Sequence, residues 1–259
     1  MKVKFTVITV CYNAVDVITE TIKSLLSQKF SEYEYIIQDG GSTDGTLEEV
    51  RKLTGGRAGV SIYSETDAGI YDAMNKALVK AKGEYVFFLN AGDCLVNDAV
   101  LLRVNEYIGS HSADIVYGDI IQVQGEKREL RKYGRFCQSS IYFLMGACIC
   151  HQAIFAKREL FDRKGFDITY QVCADREWLL FQKKNGVVFD VMPFTISEVL
   201  IEGFSSNHIN ELEQETEECL RKYYGRKSCI YILLLTIKKN GLIVKVLRRL
   251  ERSFFVREE

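Results

Sequence analysis

The chain has 259 residues, 47% of them hydrophobic and 27% charged, with a formal net charge of −1. That length and apolar content suit one sizeable core, alone or with an appendage, and exclude a disordered or collagen-like chain. The near-neutral total conceals an uneven distribution. Cys219 to Glu259 carries eleven Lys/Arg against three Asp/Glu, so this end is basic by +8 and the remainder acidic by −9. The eight cysteines include no CxxC pair, and Cys148 with Cys150 suits neither a zinc knuckle nor a secreted disulfide scaffold, so reduced thiols in a cytoplasmic protein are expected. Met1 to Lys4 leads straight into strand-like residues with no apolar leader. The longest apolar run near the C-terminus, Cys229 to Ile237, has nine residues against the roughly 20 of a spanning helix, so no segment is expected to cross a membrane.

Phe5 to Val10 (FTVITV) is β-branched and apolar, and helical spacing follows from Ala14 to Gln28 through Val17, Ile18, Ile22, Leu25 and Leu26. Tyr35 to Ile37 reads as the next strand, closed by QDGGSTDGT, where Asp44 or Thr46 can cap a helix starting near Leu47. Val60 to Ser64 is a third strand, Tyr71 to Lys82 a helix, and Gly83 its stop. The fourth strand, EYVFF, then runs into Leu89-Asn90-Ala91-Gly92-Asp93. Strands alternating with helices predict an α/β fold with a mostly parallel, doubly wound sheet. Right-handed crossovers place Asp39, Asp67 and Asp93 along one edge of that sheet, where ligands bind in such folds. The first turn, CYNAVD, has no GxGxxG pattern and the chain no GxxxxGK[ST] loop, which argues against a nicotinamide dehydrogenase and a P-loop NTPase.

The segments VITVCYNA, QDGGSTDGT, SETDAGIYDAMNKAL, FFLNAGD, CHQAIFAKRELF and CADREWLLF, in that order and spacing over about Val3 to Ser206, resemble the family 2 glycosyltransferases. The short bacterial enzymes that build cell-surface polysaccharides are the nearest type. The resemblance implies a GT-A fold, a Rossmann-like mixed sheet with flanking helices, over residues 1–209. Its nucleotide-binding half would be about 1–110 and its acceptor half about 111–209. Thr9 and Tyr12 would line the nucleotide pocket, Asp39 would accept the base's imide N–H, and Asp67 and Asn75 would flank base and ribose. Asp93 would bind Mn²⁺ or Mg²⁺ against the donor diphosphate. Asn90 and Gly92 stand where relatives often carry Asp; Asn90 would bind ribose or phosphate, Gly92 would let backbone approach it, and the metal site is left thin. His208 is a candidate to complete it.

In the second half, Ala113 to Asp119 reads as a strand with a hairpin turn at Gly118-Asp119. His151 and Gln152 would contact acceptor or donor sugar. Asp175 matches the residue that deprotonates the acceptor hydroxyl, with Glu177 as runner-up. Gly203 to Ser206 resembles the loop that closes over the diphosphate. Residues 210–259 read as a basic amphipathic helical region, fit to lie on an anionic inner leaflet or to pack on a partner chain. The expected function is an inverting, metal-dependent sugar transfer from a nucleotide-sugar donor, foremost a UDP-sugar, to a saccharide or lipid-linked acceptor. The expected location is the cytoplasm or the inner membrane face, and no nucleic-acid partner is indicated. A sugar nucleotidyltransferase and a non-catalytic nucleotide-sugar-binding module are the alternatives.

Overall fold

The computed structural model describes residues 3–201 and 208–239. Strand β1 (Phe5–Cys11) leads through α1 (Ile18–Leu26) to β2 (Tyr33–Asp39), then α2 (Thr46–Thr54), β3 (Val60–Ser64), α3 (Ile70–Leu78) and β4 (Tyr85–Phe88). These four strands pair in parallel in the order β3-β2-β1-β4, with Cys11 opposite Asp39 and Asp39 opposite Ser64 at their carboxyl ends. Every residue of β1 is buried because both sheet faces are covered. Phe5, Val7 and Cys11 join a core with α1, whereas Ile8 and Val10 join the opposite core with α3.

The chain continues through a short β5 (Cys94–Leu95), α4 (Val100–Ser110), β6 (Ile115–Gln124), β7 (Lys127–Arg131), α5 (Ser140–Leu144), a 3-10 turn (His151–Ala153), β8 (Ile154–Lys157), α6 (Arg158–Arg163), α7 (Ala174–Lys184) and β9 (Phe189–Leu200). Strand β8 runs antiparallel between β4 and β6, and β9 lies parallel to β6, so both expected halves share one mixed sheet. The hairpin expected at Gly118-Asp119 is not there. Strand β6 passes through those residues with a register shift against β9, and a Cβ on Gly118 would lie 2.5 Å from the Phe194 carbonyl. The hairpin instead turns at Gly125-Glu126 and pairs β6 with β7.

Helices α8 (Ile209–Tyr224) and α9 (Cys229–Lys239) follow. The first is more than an appendage: Cys219 and Leu220 are fully buried in the core that holds Trp178 and Leu180 of α7. Helix α9 turns Tyr231 inward and leaves Ile230, Ile232 and Leu233 exposed. The expected loop at Gly203–Ser206 and the apolar positions from Leu242 to Leu250 lie outside the described residues. No helix among the described residues is long and apolar enough to cross a membrane. All eight cysteines are free thiols.

Candidate active site

The loops after β1 and β2 are laced together at the carboxyl edge. The Asn13 N–H donates to Ser42 Oγ at 2.8 Å, the Thr43 N–H to Asn13 Oδ1 at 3.0 Å, and the Val15 N–H to Asp44 Oδ2 at 3.0 Å. Beside them Tyr12 is 65% exposed. A Cβ on Gly40 would stand 2.5 Å from Asp67 Oδ2 and 3.4 Å from the Tyr12 ring, so the two expected nucleotide residues, Tyr12 and Asp67, come together over Gly40.

Two other expected donor residues serve different ends. Thr9 is fully buried; its hydroxyl donates to the Leu89 carbonyl at 2.6 Å and accepts from Tyr35, tying β1 to the end of β4. Asp39 is also enclosed, its carboxylate accepting from Gly41 N–H, Ser42 N–H and both Ser42 and Ser64 hydroxyls. Protein donors thus already fix the Asp39 carboxylate at the strand end. The Asn75 amide likewise exchanges hydrogen bonds of 2.8 and 2.9 Å with the Phe166 backbone and fixes that loop.

The centre of the cleft is built from β4's end, the 3-10 turn and the start of α7. His151 bridges the other two: its Nδ1 lies 3.1 Å from Asp175 Oδ2 and its Nε2 3.0 Å from Asn90 Nδ2. An amide nitrogen only donates, so Nε2 accepts and the proton of a neutral ring sits on Nδ1, given to Asp175. Asn90 Oδ1 is buried without a protein partner. Asp175 Oδ1 accepts from the Arg176 N–H at 2.7 Å and faces the Tyr71 hydroxyl at 3.2 Å. A fifth of its side chain stays exposed. Burial works to raise the Asp175 pKa, but the hydrogen bond from His151, the electrostatic pull of that ring and the Arg176 N–H outweigh it and hold the carboxyl below its ordinary value. Behind this pair, Phe88, Phe161, Trp178 and Leu179 line an apolar cavity.

The adjacent Gln152 points the other way. It is buried, and its amide donates to Asp93 Oδ2 at 2.9 Å while Leu200 N–H donates to Asp93 Oδ1 at 3.2 Å. Gln152 thus braces Asp93. Asp93 is 4% exposed, and burial pushes its pKa up to about 6 against the pull of Gln152, His151 and Leu200. Gly92 is likewise engaged within the protein, its N–H donating to Thr21 Oγ1 at 2.9 Å.

Glu177, the alternative base, is removed from the cleft. Its side chain is fully buried and accepts from Lys164 at 2.6 Å, Lys222 at 2.8 Å and the Tyr223 hydroxyl. Burial raises its pKa, and those three donors more than reverse the effect. The residues do not fit a metal centre. Among the described residues no group of three or more His, Cys, Asp or Glu is arranged to hold an ion. Asp93 has a protein donor on each oxygen, and His208 serves as the N-cap residue of α8, its carbonyl accepting from Leu212 N–H.

With the geometry in place, comparison with known proteins decides the family. The model of Glycosyl transferase family 2 matches residues 6–175, from the first strand to the candidate base. The chain belongs to glycosyl transferase family 2. A PGL/p-HBAD biosynthesis glycosyltransferase of Mycobacterium bovis (strain BCG / Pasteur 1173P2) is 36% identical over 175 residues, and the match spans 66% of each chain. A glycosyltransferase of Mycobacterium tuberculosis (strain CDC 1551 / Oshkosh) is 30% identical over 205 residues, 76% of this chain and 73% of its own. Among solved structures, S. aureus TarS 1–349 in complex with UDP-GlcNAc superposes with a TM-score of 0.69 at 20% identity, covering 90% of this chain and 71% of that one. The mannosyltransferase PcManGT from Pyrobaculum calidifontis, in complex with GDP-Man and Mn²⁺, gives 0.63 at 16% identity, covering 100% and 82%. The family's GT-A fold is therefore the fold of this chain.

Sequence reasoning gave no role to Tyr71 or Arg176. Tyr71 stood inside the quoted AGIYDAMNKAL segment, and Arg176 is adjacent to the base. Glu215, discussed below, had no signal beyond being one of several acids on an amphipathic helix.

Proposed function

We propose that the chain is an inverting glycosyltransferase that moves a sugar from a nucleotide-sugar donor to a saccharide or lipid-linked acceptor, with Asp175 as general base. The observation that carries this reading is the Asp175 carboxylate. It is partly exposed, kept ionised by His151 and Arg176, and backed by an apolar wall that excludes water. In the reaction the acceptor hydroxyl gives its proton to Asp175 while its oxygen forms the bond to the anomeric carbon. The bond from that carbon to phosphate breaks on the opposite side, and the nucleoside diphosphate departs. His151 holds the carboxylate in place and shares the proton's charge across the hydrogen bond. The orphan Asn90 Oδ1 offers an acceptor to a sugar or ribose hydroxyl. Tyr12 and Asp67, together over Gly40, take the base and ribose.

The structural neighbours named above hold UDP-GlcNAc and GDP-Man, which supports the nucleotide-sugar class and puts UDP-sugars first in a screen. Mn²⁺ or Mg²⁺ would neutralise a departing diphosphate, but Asp93 is the only carboxylate directly after β4 and both its oxygens are engaged, so no step is assigned to a cation. The exposed Ile230, Ile232 and Leu233 of α9, within a strongly basic stretch, fit the surface of an anionic inner leaflet that presents a lipid-linked acceptor. Flotation with phosphatidylglycerol vesicles at low salt checks this, and a salt-insensitive dimer with no flotation would sink it.

The test of the central reading is Asp175→Asn. Transfer is expected to fall on the order of 10³-fold while UDP binding, read by thermal shift, persists. Unchanged turnover would remove Asp175 as the base.

A further inference from the structure

We propose that Glu215 of α8 is a positioning residue for the base: it sets the start of α7 and, through it, the place of Asp175. The inference rests on the reading of Asp175 as the base and extends the catalytic apparatus beyond residue 175, where the family match ends.

Helix α7 begins poorly equipped. Its N-cap residue is Cys173, whose side chain makes no capping hydrogen bond and whose thiol is a feeble acceptor beside the Ser, Thr, Asp or Asn usual there. The thiol turns away, toward the Leu212 carbonyl at 3.7 Å and Thr216 Oγ1 at 3.5 Å. What fixes this entry is α8, which takes the backbone donors leading up to the helix. Glu215 Oε1 accepts the Gln171 N–H at 2.7 Å, and Oε2 accepts the Val172 and Cys173 N–H groups at 2.8 Å each. Three successive backbone donors thus converge on one carboxylate. These are charge-assisted bonds, with a negative charge at the positive end of a helix.

The same three residues carry the base. The Val172 carbonyl accepts from the Tyr71 hydroxyl at 2.8 Å, and that hydroxyl also faces Asp175 Oδ1. Asp175 follows Cys173 by two residues. Two residues further, Glu177 is gripped by Lys222 and Tyr223, again from α8. Helix α8 therefore holds α7 on both sides of Asp175. The contact between Asp175 and His151 depends on where this first turn sits, since His151 belongs to a different element, the turn before β8.

This can be tested by a titration that needs neither donor nor acceptor. Carboxyl-¹³C aspartate NMR on the full chain reads the Asp175 pKa, with its resonance assigned by its absence in Asp175→Asn. The groups facing Asp175 are His151 from the 3-10 turn, Tyr71 from α3 and Arg176 from α7 itself. If Glu215 holds the turn, Glu215→Gln loosens the His151 and Arg176 bonds that depress the pKa, and the Asp175 midpoint rises by about one unit. Loss of the Glu215 charge alone would move it down, and a merely structural role would leave it in place. Either of those outcomes overturns the proposal. The exposed Glu211→Gln on the same helix is the control and leaves the midpoint unchanged. Should Glu215→Gln fail to fold, Glu215→Asp keeps the charge but shortens its reach. The midpoint is then expected to rise by about half a unit, and no rise overturns the proposal. Turnover with any donor that supports transfer falls about 10-fold at constant donor KM. If Asp175→Asn retains full activity, the base assignment fails, whereas the titration still decides what Glu215 does.

Discussion

Asp93 and Asp175 are held by neighbouring residues of one turn, Gln152 and His151, and end with opposite acidities. Gln152 gives Asp93 a neutral amide, and burial prevails, pushing the carboxyl up to about 6. His151 gives Asp175 an ionisable ring, Arg176 adds an N–H, and the carboxyl falls below its ordinary value despite burial. The difference lies in what each carboxylate is paired with: one amide and one backbone N–H do not offset the burial of Asp93, whereas the imidazole and the Arg176 N–H together outweigh that of Asp175. The pair also separates two tasks, since an ionised carboxylate that stays partly exposed can take a proton from an acceptor and an enclosed one is out of its reach.

The Asp175→Asn loss is the largest effect expected of this contrast. Next comes His151→Ala, which removes the ring that hydrogen-bonds the carboxylate. Turnover should drop on the order of 10 to 10²-fold, and the acid limb of its pH profile should move up because burial is then opposed by Arg176 alone. An unmoved limb would show that His151 does not tune the base.

Asp93→Asn tests the other side through stability. The Asp93 carboxyl is raised from 3.8 to about 6 in the folded chain, so folding takes up a proton. Stability contributed by this group therefore falls as pH rises from about 4 to 6, and the full cost of burying the charge is present above that. Relative to wild type, Asp93→Asn should gain up to about 3 kcal/mol between pH 4 and 7 in chemical unfolding. A flat difference would mean that Asp93 titrates normally. The smallest effect concerns metal: MnCl₂ without nucleotide should change Tm by less than about one degree, since the described residues form no ion site. A shift of several degrees would place ligands outside them.

The first four strands were readable because β1, β2 and β4 are β-branched or aromatic segments, mostly buried, that end in polar loop residues, and the weaker VSIYS of β3 sits between glycine-rich and acidic turns. The second half was not, because β6, β8 and β9 pair across long sequence distances and the bulge at Gly118 looks like a turn when only local residues are considered. The site was half legible. Asp175 and His151 stood in recognisable motifs, but motifs do not reveal which side chains are spent on the protein itself. Thr9, Asp39, Asn75, Gln152 and Glu177 each hydrogen-bond or ion-pair within the protein, which their motifs alone did not show.

Gly92 constrains what its loop can carry. Its φ is +96°, and a Cβ there would come within 2.9 Å of Leu200 Cδ1 and 3.7 Å of Val17. Replacing it by the aspartate that relatives often carry would cost roughly 1–2 kcal/mol in backbone strain alone. The mutation would also drive a side chain into Leu200, whose N–H holds Asp93. Replacing Gly92 thus strains the backbone and crowds the residue that holds Asp93, whereas Asn90, at an ordinary φ, is the position in this loop where a single change adds a carboxylate without that strain.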